Sequence, residues 1–134
     1  MTFLLDTNAC ICAINASSAA LVARFRVCPP SDLRLSAVTK AELLYGVHRS
    51  SRAAENLRLL ERFWTPLISL PFDDRCAEQY GRIRSDLARI GQPIGPNDLL
   101  IAATARAHDA VLVTHNTSEF SRVPGLRLED WEAG

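Results

Sequence analysis

The chain has 134 residues, 48% of them hydrophobic, and its 15 basic and 15 acidic residues balance. That length suits a single domain over residues 1–134, and the composition is that of a packed core rather than a disordered segment. Neutrality excludes a uniformly basic nucleic-acid coat but leaves local patches open. No apolar run reaches the ~18 residues of a membrane span. The N-terminus has neither a basic region nor a small-residue cleavage site, so the expected location is cytoplasmic, with no membrane partner.

Short apolar runs alternate with helical periods, which predicts an α/β fold with a parallel sheet. A strand is expected over Phe3–Asp6, then a helix over Asn8–Asn15 capped by Thr7 or Asn8. The helical pattern continues from Ala16 to Arg26, until Pro29-Pro30 stops it. Leu33–Val38 reads as a second strand. Thr39 then opens a helix, with Thr39 and Glu42 at the spacing of a capping box. A helix over Ser51–Trp64 is interrupted by Pro66, and Leu67–Leu70 gives a third strand. Asp73 and Asp74 open a helix whose apolar stripe is Ala77, Tyr80, Ile83, Leu87 and Ile90, and Gly91 stops it. Gln92–Pro96 is a turn-rich connection. Asn97–Asp109 is an alanine-rich helix, Val111–Thr114 a fourth strand, and Leu126–Leu128 a short edge strand before Trp131.

The informative feature is where the acids fall. Asp6 ends the first apolar run, Glu42 lies one turn into the helix after the second strand, Asp98 opens the long helix, and Glu119 follows the fourth strand. Functional sites of open α/β sheets collect at the carboxyl ends of strands, so these four can converge. No lysine or arginine lies within two residues of Asp6, Asp98 or Glu119. Carboxylates gathered in a folded site repel one another, and a hard divalent cation bound through oxygen relieves that. Mg²⁺ or Mn²⁺ fits such a donor set, which points to metal-assisted phosphodiester chemistry. Each acid also has a structural reading: Asp6 and Asp98 as helix-start acids, Glu42 as a capping-box partner, Glu119 as an exposed turn residue.

Other residues carry weaker signals. Cys10, Cys12, Cys28 and Cys76 follow no zinc spacing, and Cys10 and Cys12 read as small core residues. Lys40 is the only lysine. The arginine bias fits phosphate contacts or a GC-rich genome equally well. His115 lies beside the acidic motif, where it can contact RNA or simply face solvent, while His48 and His108 read as helix-surface residues. Arg49, Arg52, Arg58 and Arg62 with Phe63 and Trp64 form a candidate partner face. Two rivals come from other classes. An aspartate-nucleophile phosphohydrolase wants a second acid where Asn8 stands and a late lysine. A magnesium-binding adaptor or receiver domain wants paired acids after the first strand.

Four ordered motifs resemble those of PIN-domain ribonucleases: Leu4-Leu5-Asp6-Thr7-Asn8, Thr39-x-x-Glu42-Leu43-x-x-Gly46, Ile94-Gly95-Pro96-Asn97-Asp98-Leu99-Leu100, and Val113-Thr114-His115-Asn116-Thr117-Ser118-Glu119-Phe120. Within that family the chain is most similar to the VapC toxins of bacterial toxin–antitoxin pairs. The resemblance implies a three-layer sandwich with a short central parallel sheet flanked by helices. It also implies a Mg²⁺- or Mn²⁺-dependent endoribonuclease that stops translation by cutting tRNA or rRNA. Carried over by position, Asp6, Glu42 and Asp98 are the expected metal-binding acids, and Glu119 joins them as a catalytic acid. Thr7, Thr114 and Asn116 support them. Many PIN domains have aspartate where Asn116 stands, so one firm ion is expected, with a second arriving with RNA. The implied partners are a cognate VapB-type antitoxin, a second copy of the chain in a homodimer, and DNA only through the antitoxin complex.

Overall fold

Five short strands hydrogen-bond in the order β3-β2-β1-β4-β5, every neighbouring pair parallel, in a computed structural model that describes residues 1–133. They are β1 (Phe3–Leu5), β2 (Leu33–Ser36), β3 (Ile68–Leu70), β4 (Val111–Val113) and β5 (Leu128–Glu129). The helices are α1 (Thr7–Asn15), α2 (Ala19–Val27), α3 (Ala37–His48), α4 (Ala53–Trp64), α5 (Asp74–Arg89), α6 (Pro96–Ala107) and α7 (Thr117–Phe120), with one 3₁₀ turn at Pro30–Asp32.

The pleat sends successive side chains to opposite faces, and the two faces meet different helices. Leu4 and Leu112 pack with Ile83 and Leu87 of α5, Leu99 and Ala102 of α6, and Phe120 of α7. Leu5, Val113 and Leu33 pack with Cys10 of α1, Leu21 of α2, Leu43 of α3, Leu60 of α4 and Trp131. Helices therefore cover both sides of the sheet, which is the three-layer arrangement expected. The central strands β1 and β4 are buried throughout or nearly so, as strands covered on both faces must be.

Several boundaries differ from the sequence reading, each for a local reason. Asp6 closes β1 by capping α1 itself, its carboxylate accepting from the Ala9 N–H at 2.8 Å, so neither Thr7 nor Asn8 is the cap. The helix does not continue through Ala16. That residue adopts the left-handed conformation (φ 51°), and Ser18 caps a separate α2 by accepting from Leu21 N–H. β2 ends at Ser36, whose hydroxyl accepts from Thr39 N–H at 3.0 Å and caps α3 three residues earlier than Thr39 would. The Thr39–Glu42 capping box is therefore not formed, and the Glu42 carboxylate is released toward α1. On α5, Asp73 is the cap and the buried positions are Cys76, Ile83 and Leu87, with Tyr80 beside them. Ala77 and Ile90 face solvent. The last strand pairs at Leu128–Glu129, two residues beyond the expected start, and α7 forms where only a turn was expected.

Phe63 stacks on Phe25 at 5.6 Å, and the Lys40 ammonium lies 4.8 Å over the Trp64 ring. Both aromatics are thus half-buried packing residues, leaving less of that face free than the sequence suggested. No single helix among the described residues is long and apolar enough to cross a membrane.

Candidate active site

Because all five strands run the same way, their carboxyl ends share one edge, and the four acids are delivered there by different elements. Asp6 follows β1, is 5% exposed, and its backbone N–H bonds Val113 O at 3.0 Å. Burial raises its proton affinity. The Thr114 hydroxyl and the Ala9 amide oppose that rise, while the charges of Glu132 and Glu42 add to it.

Glu42 enters from α3. The Thr7 hydroxyl donates to its Oε1 at 2.6 Å and also lies 3.2 Å from Thr39 Oγ1, which is in turn 3.2 Å from Ser36 Oγ. Thr7 has one hydroxyl proton, and the shorter contact to a carboxylate takes it. Thr39 then donates to Thr7, and the hydroxyl chain fixes Glu42 relative to α1. The first and second motifs are joined by this chain.

Asp98 lies in the first turn of α6, half-buried. Its pKa is pushed up to about 6, first by burial and then by the charges of Glu119, Asp6 and Glu42. Glu119, on α7, is held the other way. Its Oε1 accepts from Gly95 N–H and its Oε2 from the Asn116 amide, each at 2.8 Å, and these bonds keep it ionised below the ordinary glutamate range. A Cβ on Gly95 would sit 3.7 Å from Asp98 Oδ2 and 3.8 Å from Glu119 Oε1, so these two carboxyls flank the same backbone atom. Asp98 is thus the more readily protonated of the two and Glu119 the more readily ionised. Thr114 supports the turn from beneath, accepting the Asn116 N–H at 3.0 Å.

The seven predicted site residues thus lie along one edge, while no three donor atoms of Asp6, Glu42, Asp98 and Glu119 stand within 4.8 Å of one another as those of His115, Asp130 and Glu132 do. Sequence reasoning missed Asp130 and Glu132, which β5 brings alongside because Thr114 N–H bonds Glu129 O at 3.0 Å. The exposed His115 hydrogen-bonds Asp130 at 2.9 Å, and Asp130 raises its proton affinity. Donor atoms of His115, Asp130 and Glu132 lie within 4.8 Å of one another. A usable signal existed: acids directly after a strand, as at Asp6. The two-residue length of β5 concealed it. The missed Gly95 amide had no signal, because a backbone donor is invisible in a sequence.

Two depressions flank the acids. One, of about 430 Å³, is lined by Asp6, Asn8, Ser17, His115, Asn116 and Glu132. The other, of about 420 Å³, is largely apolar and runs from Thr7 and Glu42 past Ile11, Ile14, Val47 and Leu59. Among the described residues, none of Asp6, Glu42, Asp98 or Glu119 has an arginine, lysine or histidine ion pair. The set is all oxygen, has no ion pair to a basic side chain among the described residues, and is buried and crowded enough to raise the proton affinity of Asp98. A hard divalent cation fits those donors, and a soft one does not.

Comparison with known proteins places this arrangement. The PIN-domain family matches residues 3–126. The tRNA(fMet)-specific endonuclease VapC of Shigella flexneri is 42% identical over 131 residues, 98% of each chain. The crystal structure of DNA-bound VapBC from Salmonella typhimurium superposes with a TM-score of 0.92 at 40% identity, covering 98% of each chain. VapBC2 from Rickettsia felis, bound to a DNA fragment from its promoter, gives 0.91 at 38%, covering 98% of this chain and 99% of that one. With its strand order, its edge of converging acids and this end-to-end likeness, the chain belongs to the PIN-domain family, among its VapC-type ribonucleases.

Proposed function

We propose that the chain is an endoribonuclease toxin whose substrate is tRNA, and that Asp6, Glu42 and Asp98 hold a Mg²⁺ or Mn²⁺ ion. The observation that carries the reading is the meeting of four acids from different elements at one sheet edge, none of them ion-paired to a basic side chain among the described residues. Burial and the charges of Glu119, Asp6 and Glu42 raise the pKa of Asp98 there to about 6. A relative named for tRNA(fMet) cleavage, similar over 98% of its length, supports the substrate class over rRNA.

When bound, the ion supplies positive charge where a phosphodiester gathers negative charge, and it makes water more acidic. The chain's own residues do the positioning. Thr7 locks the Glu42 carboxylate, the Ala9 amide and Thr114 orient Asp6, and Gly95 and Asn116 hold Glu119. Glu119 is kept ionised by two donors, which suits it to meet a cation rather than to take up a proton. The neutral Asn116 adds no charge of its own to the edge, in keeping with one firm ion. Cytoplasmic action follows from the substrate.

The test is incubation of total tRNA and rRNA with purified, antitoxin-free protein in Mg²⁺, Mn²⁺ or EDTA. Discrete tRNA fragments that require metal are expected. Cleavage that persists in EDTA would end the reading.

The same reading includes a VapB-type antitoxin, which brings DNA to the complex, and a homodimer. The related chains solved as VapBC on DNA support the antitoxin. The apolar depression beside Glu42 gives an antitoxin segment a seat, since it leaves Leu59 49% and Ile11 41% exposed at the mouth of the acids. Leu59→Glu is expected to weaken the cognate antitoxin at least about thirtyfold by calorimetric titration while tRNA cleavage stays unchanged. Unaltered affinity would place the antitoxin elsewhere.

A further inference from the structure

At the far end of α6 from Asp98, three side chains of different chemistry meet. Asp73 caps α5, accepting the Cys76 N–H at 3.1 Å, and Cys76 is fully buried one turn on. His108 closes α6 as its C-cap. A carboxylate oxygen of Asp73, the Cys76 Sγ and an imidazole nitrogen of His108 all lie within 4.8 Å of one another. His108 is ten residues beyond Asp98, roughly 15 Å along the helix, so this cluster is no part of the acidic edge.

One of its members, His108, is poorly satisfied as it stands. Arg75 Nη2 lies 3.2 Å from His108 Nδ1, and a guanidinium only donates, so Nδ1 accepts and the neutral ring carries its proton on Nε2. That Nε2 is buried and has no hydrogen-bond partner, an arrangement that costs stability. The Cys76 Sγ lies 3.6 Å from Pro71 O and close to the Asp73 carboxylate and Thr104.

We propose that Asp73, Cys76 and His108 form a second cation site, selective for Zn²⁺ or another late first-row divalent ion, with water as the fourth ligand. Thiolate, imidazole and carboxylate together are a zinc-type donor set, unlike the all-oxygen set at the sheet edge. Asp73 and Cys76 stand three residues apart on one helix face, a spacing that presents both to a single ion. Ligand atoms across a tetrahedral zinc are roughly 3.5 Å apart, so closure asks for shifts on the order of 1 Å. Arg75 is exposed and already 3.9 Å from Asp73 Oδ2, free to swing off His108 as the ring's proton moves to Nδ1 and Nε2 takes the ion. The thiol proton leaves to solvent. A bound ion clips the start of α5 to the end of α6.

Titration of the metal-stripped full chain with Co²⁺, without RNA, tests this. One equivalent is expected to produce a sulfur-to-cobalt charge-transfer absorption that Zn²⁺ abolishes. The band should vanish in Cys76→Ser and in His108→Gln, and remain in Cys28→Ser and Asp98→Asn. Zn²⁺ affinity should fall at least about tenfold in His108→Gln, which decides the matter if Cys76→Ser fails to fold. No sulfur–cobalt band in folded wild type, or a band that survives His108→Gln, overturns the site.

Discussion

Asp6→Asn is expected to lower RNA cleavage at least about a thousandfold while the protein keeps its fold and its melting temperature within a few degrees. The substitution separates the two readings of this residue. Asparagine is as good an N-cap as aspartate, and its carbonyl oxygen can accept the Ala9 N–H as Asp6 does at 2.8 Å, so α1 keeps its start. What disappears is the charge, at a buried position where neighbouring Glu42 and Glu132 already make it costly to hold. Single-turnover cleavage of whichever RNA the wild type cuts, beside thermal unfolding by circular dichroism, gives both readouts. A variant that cuts within tenfold of wild type would reduce Asp6 to a helix cap.

Asp98→Asn should abolish cleavage to a similar extent, yet make the metal-free protein more stable at neutral pH. The reason is the raised pKa, about 6 in the fold against 3.8 as the ordinary value. Between those values the folded state holds the proton more tightly than the unfolded one. Stability therefore falls as pH rises through that window, and the penalty is fully present above it. With the half-exposed position discounted for solvent screening, the penalty is about 1 kcal/mol. Urea unfolding of metal-stripped wild type is expected to show lower stability at pH 7.5 than at pH 5 from this group. The difference should shrink in Asp98→Asn and with Mg²⁺ added to wild type. A wild type whose metal-free stability is the same at both pH values, or a destabilised Asp98→Asn, would contradict the crowding of carboxylates described above.

The element types and the acids were legible in the sequence because both depend on short-range patterns. Alternating apolar runs and helical periods gave the sheet and its helices, and the acids stand at strand ends where a parallel sheet displays them. Boundaries failed where two local signals competed. Ser36 and Thr39 are both good caps, and the choice falls to Ser36, because β2 keeps Ser36 paired with Leu70 and α3 starts directly after it. That choice is also what frees Glu42 from the cap and lets Thr7 hold it. The break at Ala16 was hidden because an alanine, not a glycine, takes the left-handed position. Glu132 was hidden by distance. Its place depends on Trp131 being buried, on the Trp131 Nε1–Glu129 bond at 2.9 Å and on the Arg24–Glu129 ion pair at 2.9 Å, contacts that no periodicity encodes.

The strand order carries a consequence for timing. β1 is made first, yet it lies between β2 and β4, and β4 is made more than a hundred residues later. On a translating ribosome the first strand waits with one edge open until residues 111–113 have left the exit tunnel, and Glu119 and the tail arrive later still. The acidic edge is thereby incomplete until synthesis of the chain is nearly finished. A product truncated before β4 carries Asp6, Glu42 and Asp98 but lacks the strand that aligns them, so nonsense mutations even late in the reading frame should be silent in the cell.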